Sequence, residues 1–249
     1  MSRGPILLFD VDGTLTLPRQ AIDDTMLQFL DEVRSSIPVA IVGGSDIDKI
    51  VEQLGGDFQK VISRYDYVFA ENGLVGYHGQ KAYPVQSIKQ HIGEDRLKKI
   101  INFTLRKFSE MDIPVKRGNF IEFRSGMLNL CPVGRSCSQE ERIQFFEYDK
   151  IHKVRQKFVD ELKAFTNNWN IEVCIGGQIS VDVFPTGWSK SFCLQYLSDY
   201  NPIYFFGDKT SPGGNDYEVF IDSRTVGHSV TNPKDTKEQV EALLAKLKS

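Results

Sequence analysis

The chain has no long hydrophobic run. Its 249 residues are 41% hydrophobic, yet apolar residues never continue for the roughly 20 positions a membrane-spanning helix needs. It has no excess of positive charge. Lys and Arg number 30 against 33 Asp and Glu, a formal net charge of −3, so no basic field points to nucleic acid or to a membrane surface as partner. Cysteine is scarce: Cys131, Cys137, Cys174 and Cys193 show no C-x-x-C spacing. That argues against a zinc site or a disulfide framework and fits reduced thiols in a cytoplasmic protein. There is no internal repeat, low-complexity tract, lipidation motif or signal peptide, since only Ile6 to Phe9 form an apolar run before two acids arrive. What is present, with 25% charged residues, is the composition of an ordinary globular chain, long enough for one large domain or two modest ones.

The patterning divides the chain into three stretches. The first alternates strand and helix. An opening strand is followed by a helical stripe at Ile22, Met26, Phe29, Leu30 and Val33. Then come a strand over Pro38 to Val42, a second stripe at Ile47, Ile50, Val51 and Leu54, and a strand at Tyr67 to Phe69. Ser45 and Asp48 are spaced for a capping box, and Asn72-Gly73 for a hairpin turn. This order predicts an α/β fold with a parallel sheet and flanking helices. The middle stretch changes character. It reads as helix, hairpin (Asn119 to Arg124, Met127 to Leu130), a long helical segment from Gln139 to Phe165, and a second hairpin (Ile171 to Ile175, Ile179 to Phe184). The last stretch returns to alternation, with a helix over Ser189 to Leu197, strands at Ile203 to Phe206 and Val226 to Val230, and a closing helix. The expected organisation is therefore a core of residues 1–82 and 187–249 with an α+β cap, residues 83–186, carrying an antiparallel sheet.

The chemistry sits at strand ends. Ile6-Leu7-Leu8-Phe9 runs into Asp10-Val11-Asp12-Gly13-Thr14. Two carboxylates that close repel unless a cation or a proton lies between them, which suggests a hard metal such as Mg²⁺, a protonated acid, or each at a different step. A second acidic group follows the Ile203–Phe206 strand: Gly207-Asp208-Lys209, then Asn215-Asp216. In a parallel sheet the two strand ends can be neighbours, so Asp208 can complete a Mg²⁺ site with Asp10 and the backbone of Asp12. In the middle stretch Arg117, Arg124, Arg135 and Arg142 gather in a short region. Ser138 and Glu141 fit a capping box that places Arg135 and Arg142 beside a helix N-terminus, a setting suited to a phosphate dianion; taken singly, each arginine is better read as solvated and paired with Glu122, Glu140 or Glu141. Ser180 and Asp182 share one strand face, where they can meet sugar hydroxyls or water.

The stretch from Asp10 to Thr16 resembles the first motif of the haloacid dehalogenase superfamily of phosphotransferases. The resemblance implies Asp10 as nucleophile and Asp12 as general acid and base. Ser45 resembles the second motif, a hydroxyl that binds the transferring phosphoryl group, and Lys190 the third, a lysine that offsets its charge. Asp208 with Asn215-Asp216 resembles the fourth, with Asp216 supporting the metal from behind.

Within that superfamily, Phe120 to Arg124, Gly134 to Arg142, Gly176 to Ser180 and Phe206 to Thr210 look like the eukaryotic-type phosphomannomutases, and the resemblance covers essentially the whole chain. It implies a Rossmann-like core with an inserted cap, and hexose phosphate bound by Arg19, Arg124, Arg135, Arg142, Ser180 and Asp182. It also implies a second metal site at the Phe220 carbonyl, Asp222 and Thr225, and a homodimer through the cap. The implied reaction interconverts mannose 1-phosphate and mannose 6-phosphate with a hexose 1,6-bisphosphate activator, supplying GDP-mannose synthesis. The nearest rival is a sugar-phosphate phosphatase with the same aspartates and water as acceptor; a non-catalytic phosphosugar-binding protein has no need of a nucleophile.

Overall fold

The computed structural model describes residues 3–248 and divides into two compact units. One comprises the chain up to Val85 together with the chain from Gly187 onward; the other spans Gln86–Thr186. In chain order the strands are β1 (Ile6–Phe9), β2 (Val39–Val42), β3 (Tyr67–Ala70), β4 (Val75–His78) and β5 (Lys81–Ala82) in the first unit. The second unit adds β6 (Ile121–Phe123), β7 (Leu128–Leu130), β8 (Ile171–Ile175) and β9 (Val181–Pro185), and the first unit resumes with β10 (Ile203–Gly207) and β11 (Thr225–Ser229). The helices are α1 (Asp24–Arg34), α2 (Ile47–Gln53), α3 (Phe58–Arg64), α4 (Ile88–Ile92), α5 (Glu94–Glu110), α6 (Gln139–His152), α7 (Val154–Phe165), α8 (Tyr217–Phe220) and α9 (Pro233–Lys248).

The first unit is a seven-stranded sheet in the order β11-β10-β1-β2-β3-β4-β5. Its first five strands are parallel; at the edge β4 pairs antiparallel with β3, and β5 antiparallel with β4. β1 is fully buried because both its faces are covered, as continuous apolar strands of parallel sheets are. Leu7 and Phe9 join the cluster formed with α1, α2 and α9. Ile6 and Leu8 face Cys193, Leu194, Leu197 and Val219 on the other side. The pleat thus divides one four-residue strand between two cores. β1 lies between β10 and β2, so the loops after β1, β2 and β10 open at one sheet edge, beyond the strands' carboxyl ends.

The second unit is a four-stranded antiparallel sheet, β6-β7-β9-β8. Its register aligns Glu122, Asn129, Asp182 and Cys174 in one row across all four strands. The flanking rows contain Leu128, Leu130, Val181 and Val183, all buried. One face is therefore apolar, in the unit that buries Leu97, Ile100 and Phe108 of α5 and Phe158, Val159 and Leu162 of α7, and the opposite face carries the polar row.

Several local expectations change. Gln139 to Phe165 is two helices, because Lys153 adopts φ 54°, ψ 37° between them. Ser189 to Leu197 is expected as an α-helix, but Lys190–Leu197 is a 3₁₀ helix. Its N-cap Ser189 makes no capping bond and pairs instead with the Ser191 hydroxyl at 2.9 Å. Asp46, not Ser45, caps α2: its carboxylate accepts from Lys49 N at 2.8 Å, the charged side chain being favoured at a helix N-terminus. β3 and β4 form the expected hairpin, but through a 3₁₀ turn over Glu71–Gly73 rather than a two-residue turn. α3, α4, α8 and β5 have no counterpart in the hydrophobic patterning. All four are five residues or shorter except the seven-residue α3, too short to show a period.

Candidate active site

In the first unit, Asp10 follows β1 directly, and its backbone N–H donates to the Phe206 carbonyl at 2.9 Å. The carboxylate is 4% exposed. Thr14 Oγ1 donates to its Oδ2 at 3.3 Å, and Lys190 Nζ makes a short contact with Oδ1. The same ammonium donates to Asp216 Oδ1 at 2.6 Å, and Asp216 Oδ2 accepts from Lys209 N at 3.0 Å. Burial pushes the Asp10 carboxyl up to about 7, against the pull of Lys190. Burial alone would lower the Lys190 ammonium, but Asp10 and Asp216 hold it above its usual value. The 3₁₀ helix thus delivers one cation to two acids brought in by different loops, 180 and 26 residues away.

Asp208 follows β10 as Asp10 follows β1. Its Oδ1 is buried without a hydrogen-bond partner, and burial raises its carboxyl. A side chain on Gly13, at φ +80°, would collide with the Asp208 carboxylate, so only glycine lets the two loops approach this closely. Carboxylate oxygens of Asp10, Asp208 and Asp216 lie within 4.8 Å of one another, the one such cluster among the described residues. Two of the three carboxylates share one buried ammonium, and the third, Asp208, keeps an orphaned oxygen. Hard oxygen donors with unbalanced negative charge fit a divalent cation such as Mg²⁺.

Asp12 turns away from that cluster. Its Oδ1 accepts from Arg19 N at 2.7 Å and from Gln53 Nε2 at 2.8 Å. Arg19 contributes through its backbone, at φ 63°, while its side chain is exposed. Asp10, Asp12, Ser45, Gln53, Lys209 and Asn215 line a cleft of about 170 Å³. Ser45 is free to face it because Asp46 does the capping. At the implied second metal site the Asp222 carboxylate is spanned by Arg224, with Nε at 2.8 Å and Nη2 at 2.7 Å, which lowers its pKa. Thr225 Oγ1 donates to the Val219 and Asp222 carbonyls at 2.6 and 3.0 Å, and the Phe220 carbonyl lies against Gly227.

In the second unit the polar sheet face forms one network. Asn129 Nδ2 donates to Asp182 Oδ1 at 2.6 Å, and Arg135 Nη1 donates to Asn129 Oδ1 at 2.8 Å. Glu122 Oε2 accepts from Arg124 Nη2 at 2.7 Å and meets Arg135 Nε at 3.1 Å. Burial raises the Asp182 carboxyl, opposed by the Asn129 bond. Ser180 is 4% exposed. Arg142 is in the first turn of α6, behind the Ser138–Glu141 capping box, and makes no ion pair within 4 Å among the described residues. Arg117 is diverted to Glu141 at 2.5 Å. Arg155, buried, pairs with Asp149 at 2.7 Å. Its Nη1 donates to the carbonyls of Gly176, Gly177 and Ser180 at 3.2, 3.0 and 3.2 Å, fixing the β8–β9 turn.

Sequence reasoning missed Gln53 and Asn129. Both are amides without a motif of their own. Gln53, 2% exposed, is a polar side chain next to the apolar stripe of α2, whereas Asn129, 4% exposed, falls on the polar phase of the Leu128–Leu130 alternation and carries no such signal.

A family model described as eukaryotic phosphomannomutase matches residues 26–246. The chain is 58% identical over 244 residues to a probable phosphomannomutase of Caenorhabditis elegans, covering 97% of this chain and 96% of that protein. It is 57% identical over 236 residues to a phosphomannomutase of Dendrobium officinale, covering 95% and 92%. Among solved structures, an IMP-bound, N-terminally truncated IMP-nucleotidase of Plasmodium falciparum superposes with a TM-score of 0.64 at 17% identity, over 96% of this chain and 68% of that one. A trehalose-6-phosphate phosphatase of Aspergillus fumigatus does so with a TM-score of 0.56 at 17% identity, over 97% and 93%. These two establish the shared fold alone, a haloacid dehalogenase-type core with a cap. The family match and the near-complete alignment with both relatives place the chain in the eukaryotic phosphomannomutase family.

Proposed function

We propose that the protein interconverts mannose 1-phosphate and mannose 6-phosphate by phosphoryl transfer through Asp10, with a hexose 1,6-bisphosphate as activator. The observation that carries this reading is the buried Lys190 ammonium held against Asp10 and Asp216 at a strand end shared with Asp12 and Asp208. A site built only to bind sugar phosphate has no use for a desolvated carboxylate fixed by a lysine.

The residues divide the work as follows. An Asp10 oxygen bonds to phosphorus of the bisphosphate while the bond from phosphorus to the sugar oxygen breaks, and Asp12 gives that oxygen its proton. In the second transfer the free hydroxyl of a hexose monophosphate surrenders its proton to Asp12 and attacks phosphorus, and Asp10 leaves as carboxylate. Lys190 and Thr14 fix the two oxygens of Asp10, and Ser45 offers its hydroxyl to the phosphoryl group. Asp10, Asp208 and the backbone of Asp12 would hold Mg²⁺, with Asp216 behind them, and the ion would supply neutralisation of charge on the transferring group. In the second unit Arg124, Arg135 and Arg142 take the phosphate that is not transferred, with Ser180 and Asp182 toward the sugar; in the first unit Arg19 is a further substrate-binding residue. Phe220, Asp222 and Thr225 would hold a second cation, for which Arg224 now stands as the positive partner of Asp222.

The product supplies GDP-mannose formation in the cytoplasm, a setting consistent with the absence, among the described residues, of a helix long and apolar enough to cross a membrane. A homodimer through the second unit is supported by β6, an edge strand whose Phe123 is 51% exposed.

The test incubates the protein with mannose 1-phosphate and Mg²⁺, with and without a hexose 1,6-bisphosphate, and measures mannose 6-phosphate and free phosphate. Isomer formation that depends on the bisphosphate and disappears in Asp10→Asn is expected. Free phosphate as the main product would assign a phosphatase instead.

A further inference from the structure

Glu122 stands on the same sheet face as the phosphate-binding arginines, and one of its oxygens bridges two of them. Oε2 lies 2.7 Å from Arg124 Nη2 and 3.1 Å from Arg135 Nε. A carboxylate in that position presents to the guanidinium groups what a phosphate oxygen would present. The other members of the network are held independently. Asn129 donates to Asp182 and accepts from Arg135, so Arg135 stays in place whether or not Glu122 does. Glu122 has no such anchor: its bonds within the network are to the two arginines. Its side chain is 36% exposed.

Charge gives the direction of the effect. The face carries two carboxylates, Glu122 and Asp182, beside Arg124 and Arg135. Asp182 is fixed by Asn129 at 2.6 Å. A phosphate dianion on the same guanidinium groups would stand beside Glu122, and like charges at that separation in a partly dehydrated site repel strongly. The removable carboxylate is the one that yields.

We infer that Glu122 is an internal counter-anion, which occupies Arg124 and Arg135 when the face is empty and competes with the substrate's phosphate for them. The inference rests on the reading that these arginines take the phosphate that is not transferred. It has a use in the proposed reaction. A bisphosphate intermediate must present each of its phosphates to Asp10 in turn, so the distal grip must release. A tethered carboxylate that recaptures the arginines hastens that release and keeps the grip from becoming too tight.

The experiment titrates mannose 1-phosphate into the full-length protein without added metal, by calorimetry, comparing the unaltered chain with Glu122→Gln, Glu122→Ala and Arg135→Ala. Removing the competing charge is expected to tighten binding about three- to tenfold in both Glu122 variants, on the scale of one partly exposed charge pair. KM falls correspondingly in the assay with Mg²⁺, and kcat does not rise. The alanine variant guards against a glutamine amide donating to the phosphate. Arg135→Ala is expected to weaken binding about tenfold. Unchanged or weaker binding in both Glu122 variants, with Arg135→Ala weakened, overturns the inference and makes Glu122 an aligning residue or a bystander. Undiminished binding in Arg135→Ala overturns instead the phosphate-site reading on which it rests. A residue that merely supports the fold cannot produce a gain in affinity when removed.

Discussion

Lys190 Nζ and Asp216 Oδ1 lie 2.6 Å apart, and neither side chain is exposed to solvent. Because the same ammonium also reaches Asp10, the lysine carries the charge balance of the whole strand-end cluster. Replacing it by methionine keeps the volume and leaves two buried acids without their cation. Lys190→Met is expected to cost about 3–5 kcal/mol of stability and at least about 100-fold in kcat. Denaturant titration and steady-state assays read the two effects separately, and near-normal turnover would remove Lys190 from the chemistry.

The Asp12 carboxylate is oriented by a neutral amide. Gln53→Leu deletes that donor with little change of shape and leaves the Arg19 N–H in place. Loss of one hydrogen bond to a charged group is worth about 1.5–3 kcal/mol, so kcat is expected to fall about ten- to hundredfold while KM moves little. A change confined to KM would mean that Gln53 serves binding rather than the proton carrier.

Arg155 ties one buried acid to three turn carbonyls. Arg155→Met is expected to destabilise the protein by about 3–5 kcal/mol and, at temperatures where it stays folded, to raise KM more than it lowers kcat, because Ser180 loses its fixed position. Arg155→Lys should rescue little, since an ammonium lacks the planar fork that serves Asp149 and the carbonyls together. Full rescue by lysine would reduce the role to simple charge.

His228 stacks on Phe206 at 4.5 Å, and burial lowers its pKa from 6.5. The folded protein therefore holds the neutral ring. As pH falls through 6.5 the unfolded chain takes up a proton that the folded chain resists, so stability declines from there down to the folded-state pKa. Urea midpoints at pH 7.5 and 5.5 should fall further for the unaltered chain than for His228→Phe. Equal falls would exclude His228 as a source of acid sensitivity.

The sequence made the strand-end acids legible because an apolar run that stops on Asp10 or Asp208 is a local signal, readable without knowing what packs against it. Asp10, Asp208 and Asp216 do meet, because parallel strands bring their carboxyl ends to one edge. The Ser138–Glu141 capping box was legible for the same local reason. What escaped depends on partners distant in the chain. Gln53 reaches Asp12 across 41 residues and Asn129 reaches Asp182 across 53, and an amide in a stripe looks like any polar residue. Lys153 enters the left-handed region without being a glycine or an asparagine, so the break between α6 and α7 left no mark in the pattern. Arg124 and Arg135 were legible as a local cluster of guanidinium groups; that one Glu122 oxygen meets both follows from the placement of β6 and the loop after β7.

The row formed by Glu122, Asn129, Asp182 and Cys174 exists only because four strands keep one pairing register. Losing a single residue inside β7 would exchange Asn129 for Leu128 or Leu130, burying an amide and surfacing a leucine. Descendants of this chain can therefore lengthen or shorten the loops that border β7, but an odd-numbered insertion or deletion within it would break the polar row at its second strand.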